Sequence, residues 1–115
     1  MTLSDGFGVR HTFPAGTILP SFGMLVVFGG GTPTGLFGGA VVQVASSGAL
    51  GLNNDGDTLT LHSGSTVIDT ASYSGTIGAM DQAIVRDGTG WVLHSTIPGS
   101  VGAYSPGLFS DGYAL

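Results

Sequence analysis

The chain has 115 residues, of which 42% are hydrophobic and only 8% are charged, and its formal net charge is −5. This length suits one folded domain, residues 1–115, and the apolar content is too high for a disordered segment. Arg10 and Arg86 are the only permanent cations, so the phosphate-neutralising surface that nucleic-acid binding requires is absent. Apolar runs fall far short of the roughly 20 residues of a spanning helix, so no membrane span is expected.

Short apolar runs separated by glycine- and proline-rich turns follow one another along the chain. The strands that this pattern predicts are, in order, Val9–Phe13, Met24–Phe28, Ala40–Val44, Leu50–Leu52, Thr58–His62, Thr66–Tyr73, Ile84–Arg86 and Trp91–His94. Residues 63–65 and 87–90 are predicted hairpin turns, and a glycine- and proline-rich tail begins at Ile97. No glycine-free stretch of ten residues shows helical periodicity, so we expect an all-β sandwich or barrel.

The order of several short motifs resembles that of the lamin-tail domain in its bacterial and archaeal form. These motifs are Leu3-Ser4-Asp5, the segments 11–20 and 25–31, the segment 52–61, Val67-Ile68-Asp69, Ser72-Tyr73, Asp81-Gln82, Val85-Arg86-Asp87, His94-Ser95 and Ser105-Pro106-Gly107. The resemblance implies an immunoglobulin-like β-sandwich that serves as an interaction or surface module of exported proteins. It also implies an extracellular or cell-surface location, and the family offers no catalytic residues to transfer.

The start of the chain departs from this family, because Met1 stands about where a later tryptophan of the pattern would be. The sandwich is therefore expected to be amino-terminally incomplete, lacking one or two strands. Two explanations fit: a shortened or divergent start, or a fold that a neighbouring chain completes by adding a strand to an open apolar groove. Residues 97–115 supply a candidate exchanged strand, which could instead fold back onto its own sheet. The candidate assembly side chains are Leu108, Phe109, Tyr113 and Leu115.

The run Asn53-Asn54-Asp55-Gly56-Asp57 has the oxygen-rich composition of a calcium loop. The chain contains no glutamate to supply the bidentate ligand that such loops use later. Asparagine, aspartate and glycine also form tight turns by bonding their own backbone. We therefore expect a turn and no cofactor, with Asp55 and Asp57 as the calcium candidates if a cation binds.

The three histidines and the many serines invite comparison with hydrolases. Ser105 is followed by Pro106, which has no N–H to donate to an oxyanion at the position after a nucleophile. His11 and His62 fall on strand faces expected to point outward, and His94 is expected to bond a backbone carbonyl. The chain is therefore predicted not to be an enzyme.

Structural roles are predicted for Arg86, Asp81, Asp69 and Trp91. Arg86 lies between Asp81 and Asp87 and can bond carboxylates and carbonyls with its planar guanidinium. The alternation of side chains along its strand places Asp69 on the inward face. Either Asp69 has hydrogen-bond partners there, or a β-bulge rotates the strand by one residue. Trp91 is expected in the core rather than on a sugar-binding platform.

Together these features predict a non-enzymatic structural protein that self-associates by β-strand pairing or complementation into an extracellular fibre or surface assembly. The principal partner is then a second copy of the chain. The alternative is a monomeric binding or adhesion module of a larger exported protein that recognises a protein or polysaccharide. The two hypotheses differ in whether the isolated chain is complete by itself.

Overall fold

The computed structural model describes residues 1–75, 77, 82–88 and 90–113, and its regular structure is almost entirely β. Across these residues no α-helix occurs, so the predicted all-β class is confirmed. Two single-turn 3₁₀ helices, Phe37–Gly39 and His94–Thr96, accompany the strands. The strands are β1 Thr2–Ser4, β2 Val9–Thr12, β3 Leu25–Phe28, β4 Val41–Val44, β5 Gly56–Ser63, β6 Thr66–Ser74, β7 Ile84–Asp87 and β8 Gly90–Leu93.

The largest sheet has four antiparallel strands in the order β2-β1-β5-β6. In the inner strand β5, Leu59 and Leu61 alternate with threonines, so one face of the strand is apolar and the other is polar. The register of β6 shifts beside His62, so that Ile68 is an extra residue in the ladder. This bulge is one of the two arrangements that the parity of Asp69 allowed, and it leaves Asp69 exposed.

The remaining strands form two separate pairs. Strands β3 and β4 are parallel, in register from Leu25 opposite Val41 to Phe28 opposite Val44, and the wide glycine-rich loop between them makes the crossover. Strands β7 and β8 form an antiparallel hairpin. Among the described residues no backbone ladder joins β3–β4 to β7–β8.

The interior contains few well-buried apolar side chains. Ala45 is the only described apolar side chain with less than a tenth of its surface exposed, and no large described side chain is fully buried. All four residues of β3 and three of the four residues of β8 are only half-buried. Such a chain buries unusually little of its apolar surface for a folded domain.

Candidate assembly surface

Large apolar side chains are exposed over much of the molecule. Phe22 and Leu36 are the extremes, at 91% and 90% exposure. Phe22 has a φ of 59° at the third position of a turn closed by a 2.8 Å hydrogen bond from Gly23 N to Pro20 O, a conformation that glycine favours. The other exposed members are Met1, Phe7, Val9, Ile18, Leu19, Val42, Leu52, Val67, Ile68, Val101, Tyr104, Phe109 and Tyr113.

An open cavity of about 790 Å³ lies between the two small strand pairs. Met24 and Phe28 line it from the β3 side, and Ala83 and Val85 line it from the β7 side. Phe37, His94 and the tail segment 104–110 complete the wall. The cavity is therefore largely apolar and borders both strand pairs, and we call it the β3–β7 cavity.

The described part of the tail contacts its own chain beside the start of β7 without joining a sheet, and its role as an exchanged strand stays a prediction. Ala83 N donates to Ala103 O at 2.9 Å, and Val101 N donates to Ser110 O at 2.9 Å. The tail residues that the structure describes, up to Tyr113, contain no strand. Leu108 is half-buried while Phe109 and Tyr113 are exposed, and Leu115 lies outside the described residues.

Gly107 places the tail backbone directly against Phe37. It is buried, has a φ of 77°, and a Cβ added to it would overlap the carbonyl group of Phe37 and lie 3.0 Å from the Phe37 Cβ. Phe37 itself has a φ of 47° and stacks at a tilt on Phe28, with ring centroids 5.1 Å apart. A side chain at residue 107 is therefore incompatible with this tail position.

His94 joins the tail to β8 through both ring nitrogens. It is 2% exposed, with Nδ1 2.7 Å from Gly102 O and Nε2 2.7 Å from the Ser105 hydroxyl. Because a carbonyl oxygen only accepts, Nδ1–H donates to Gly102 O, which leaves Nε2 of that tautomer to accept a hydrogen bond from the Ser105 hydroxyl. The geometry is that of a nucleophile and its base, but Pro106 cannot supply the neighbouring N–H for an oxyanion.

Arg86 and Trp91 attach the β7–β8 hairpin to the outer edge of β6. Arg86 donates from Nη1 to the Asp69 carboxylate at 3.3 Å and from Nη2 to Thr70 O at 3.1 Å, and it lies over the Trp91 ring. The Trp91 indole N–H donates to Ser72 O. The carboxylate that Arg86 contacts is Asp69 on β6, whereas Asp81, which the sequence placed beside it, lies outside the described residues.

The Asp57 carboxylate accepts hydrogen bonds in and around the turn 53–57, the segment with the composition of a calcium loop. Its oxygens accept backbone N–H groups from Gly6 at 3.1 Å, Thr58 at 2.8 Å and Asn53 at 3.2 Å. Desolvation raises the pKa of Asp57, but these donors outweigh it and hold the pKa below its usual value. Asp55 is exposed. No cluster of three potential metal-ligating side chains occurs in the described part of the chain.

Asp5 holds the loop between β1 and β2. Its buried carboxylate accepts from Phe7 N at 2.8 Å and Gly8 N at 3.0 Å, and from Arg10 Nε at 2.7 Å. Desolvation raises the pKa of Asp5, but the hydrogen bonds and the Arg10 charge lower it by more. Both permanent cations thus pair with carboxylates of the same chain, Arg10 with the buried Asp5 and Arg86 with the exposed Asp69.

The outward position expected for His11 is wrong. His11 is 2% exposed, because the segment 45–47 covers β2: Ser47 N donates to Arg10 O, and Ser46 N donates to His11 Nδ1 at 3.0 Å. His11 Nε2–H then donates to Gln43 Oε1 at 2.7 Å. His62 is half-exposed on β5. His11 is thus a fully bonded histidine that connects β2 to β4.

Comparisons with protein-family models, with curated proteins and with solved structures find no match to this chain. The resemblance to lamin-tail domains therefore stays a prediction. No helix within the described residues is long and apolar enough to cross a bilayer.

Sequence reasoning did not find the β3–β7 cavity or the contact between His94 and Ser105. The cavity depends on how two strand pairs are spaced, and no local pattern encodes that spacing. The histidine contact did have a signal, since both residues stand beside glycine- or proline-rich turns that bring the chain back on itself.

Proposed function

We propose that this chain is a non-enzymatic structural protein of the immunoglobulin-like, lamin-tail type that self-associates through β-strand pairing into an extracellular fibre or surface assembly. The immunoglobulin-like sandwich and the extracellular location rest on the family resemblance. Self-association rests on the surface of the folded chain.

The observation that carries the proposal is an excess of exposed surface. The chain exposes 7071 Å², whereas a compact monomer of its mass, 11.4 kDa, exposes about 5,800 Å² by the usual scaling of surface with mass. The excess of about 1,300 Å² is larger than the roughly 800 Å² that each partner buries in a standard protein interface. An interface with a second copy is thus large enough to bury apolar side chains that the monomer exposes to water.

Charge supports the same conclusion. Soluble proteins commonly protect strand edges with lysine, and this chain has none among its nine charged residues. Its two arginines are occupied by Asp5 and Asp69. No lysine therefore guards one strand edge against another, and lowering the pH towards the isoelectric point near 4.5 reduces the repulsion that the net charge of −5 sets between copies.

The test is sedimentation velocity of the purified chain from about 1 μM to about 1 mM, the range in which weak protein association becomes visible, together with negative-stain electron microscopy. The expected result is concentration-dependent growth to filaments or closed oligomers. A folded monomer throughout that range would overturn the proposal and leave the binding module that recognises a protein or polysaccharide.

A further inference from the structure

Gln43 on β4 contacts two side chains from the amino-terminal part of the chain. Its Oε1 is 2.7 Å from His11 Nε2, and its Nε2 donates to Thr17 Oγ1 at 3.0 Å. His11 is 2% exposed, and Thr17 and Gln43 are half-buried. An imidazole, a carboxamide and a hydroxyl group are therefore in mutual contact at the boundary of the interior.

The tautomer of His11 decides which end of the carboxamide faces the threonine. Ser46 N–H donates to His11 Nδ1 at 3.0 Å, so Nδ1 is the acceptor of the ring and Nε2 carries the hydrogen. A ring N–H needs an acceptor, which places Gln43 Oε1 beside the histidine and Gln43 Nε2 beside Thr17. The nitrogen that would leave in an acyl transfer thus lies next to the hydroxyl, and the carbonyl oxygen lies on a hydrogen-bond donor.

The Thr17 hydroxyl is also held in position. It donates to Pro14 O at 2.7 Å, and Thr17 N donates to the same carbonyl at 3.1 Å. The hydroxyl hydrogen is therefore directed to Pro14, and a lone pair of Oγ1 accepts the Gln43 amide hydrogen. Holding a nucleophile beside its target in this way replaces a collision by a fixed contact and lowers the barrier to attack.

We propose that Thr17 and Gln43 form an intramolecular ester, with His11 as the catalytic hydrogen-bond donor. Thr17 Oγ1 attacks Gln43 Cδ, so that the Oγ1–Cδ bond forms and the Cδ–Nε2 bond breaks. His11 Nε2–H stabilises the negative charge that develops on Oε1. The hydroxyl proton passes to Nε2, which departs as ammonia, and no oxidant or other reactant is needed.

Such an ester would give the chain a covalent cross-link. Small domains with little buried apolar surface commonly depend on disulfides or metals. This chain has no cysteine, and Ala45 is its only well-buried apolar side chain among the described residues. The ester would join the segment after β2 to β4 and restrict the unfolded chain as a disulfide does. The chain reacts once with itself, so the inference does not depend on self-association and does not require enzymatic turnover.

The intact mass of the unmodified protein tests the inference. The expected mass is about 17 Da below that of the sequence, because one ammonia is lost. Chymotryptic digestion should give a branched peptide that contains both Thr17 and Gln43, and hydroxylamine, which cleaves esters, should separate its two arms. An unchanged mass with the two residues in separate, unmodified peptides would overturn the inference. Loss of ammonia that maps to Asn53 or Asn54 instead would also overturn it.

A matched pair of variants assigns the nucleophile. Thr17→Val replaces the hydroxyl by a methyl group of similar size and should keep the full mass. Thr12→Val is the control, because Thr12 is exposed on β2 and bonds the Ser46 hydroxyl through its backbone N–H, which the substitution retains. The control should lose ammonia as the parent does. Loss of ammonia from Thr17→Val would exclude Thr17 as the nucleophile.

Two substitutions at His11 test its role as the donor. His11→Gln keeps an amide N–H for Gln43 Oε1 and should form the ester, whereas His11→Leu has no donor and should form it at least about tenfold more slowly. Amide exchange in 41–44 reports whether each variant is folded. A folded His11→Leu that forms the ester as fast as the parent would show that His11 is not the catalytic donor.

Discussion

The indole N–H of Trp91 donates to the carbonyl oxygen of Ser72, so the β7–β8 hairpin is attached to the edge of β6 by a side chain rather than by a backbone ladder. Arg86 likewise donates a side-chain hydrogen bond to Thr70 O, the next outward-facing carbonyl of β6 from Ser72. Two carbonyls of this edge are therefore already occupied. Strand addition at the middle of β6 would require both side chains to leave, which directs association to other edges.

Trp91 packs edge to face on Tyr73, with ring centroids 6.4 Å apart. Replacing Trp91 by phenylalanine should remove the hydrogen bond to Ser72 and keep an aromatic ring beside Tyr73. The expected loss in the free energy of unfolding is about 1 kcal/mol, because the Ser72 carbonyl is near water and regains part of its hydrogen bonding. Urea denaturation measures the loss, and amide exchange should rise around 70–73. An unchanged midpoint and unchanged exchange would contradict a role for Trp91 in holding the hairpin.

Gly107→Ala and Gly99→Ala form a matched pair that isolates the contact with Phe37. The two glycines have φ values of 77° and 79°, but a Cβ at residue 99 meets nothing within 4 Å. Gly99→Ala should cost about 1 kcal/mol from the left-handed backbone alone, and Gly107→Ala should cost at least about 2 kcal/mol more because of the overlap. Equal costs in thermal unfolding would show that the tail does not pack against Phe37.

Local patterns in the sequence predicted most of the strands. Seven of the eight predicted segments coincide with β2 to β8 to within two residues at each end, because alternation and turn residues act over a few neighbours. Leu50–Leu52 is not a strand, and β1 was missed because Thr2–Ser4 is too short to show a period. What the patterns could not show is long-range pairing: the parallel β3–β4 register, the burial of His11 under the segment 45–47, and the β3–β7 cavity.

Acid should weaken the fold through Asp57. Its folded-state pKa is lowered, so its contribution to stability is present above the unfolded value near 3.9 and is lost as the pH falls through the lower folded value. Asp57→Asn should therefore be less stable than the parent at pH 7, and the difference should shrink below about pH 4. Asp55→Asn makes the same charge change two residues away and should leave the urea midpoint at pH 7 nearly unchanged. A constant gap between parent and Asp57→Asn from pH 7 to about pH 2 would contradict this role.

Ser105 is predicted to act as a hydrogen-bond partner of His94 and not as a nucleophile. Ser105→Ala should lower the free energy of unfolding by about 1–3 kcal/mol, since it leaves a buried ring nitrogen unpaired. Ser110→Ala is the control, because Ser110 lines the same cavity and accepts from Val101 N with its backbone carbonyl, which the substitution keeps.

The same serine also offers a test of the non-enzymatic proposal. The folded protein, treated with an alkyl fluorophosphonate, should keep its intact mass, because the residue after Ser105 is a proline and donates no N–H to a developing oxyanion. Phosphonylation of Ser105 that disappears in His94→Gln would mean that the pair is a working nucleophile and base, and the non-enzymatic proposal would then be wrong.

The tail is expected to be required for assembly, and removal of residues 104–115 should abolish it. Because segment 104–110 forms one wall of the β3–β7 cavity, this deletion also removes packing within the monomer, so a gentler variant is needed. Tyr113→Ser changes a side chain that is 74% exposed and does not line the cavity, so it should leave the thermal midpoint within about 2 °C. We expect it to weaken association about tenfold or more in sedimentation velocity, since exposed aromatic residues commonly dominate interfaces. Phe7→Ser changes an aromatic side chain that is 80% exposed on the loop between β1 and β2, and it should change association less than about twofold. If the two variants associate alike, the tail is only part of the monomer's own packing, and the assembly contacts must be sought among the other exposed apolar side chains.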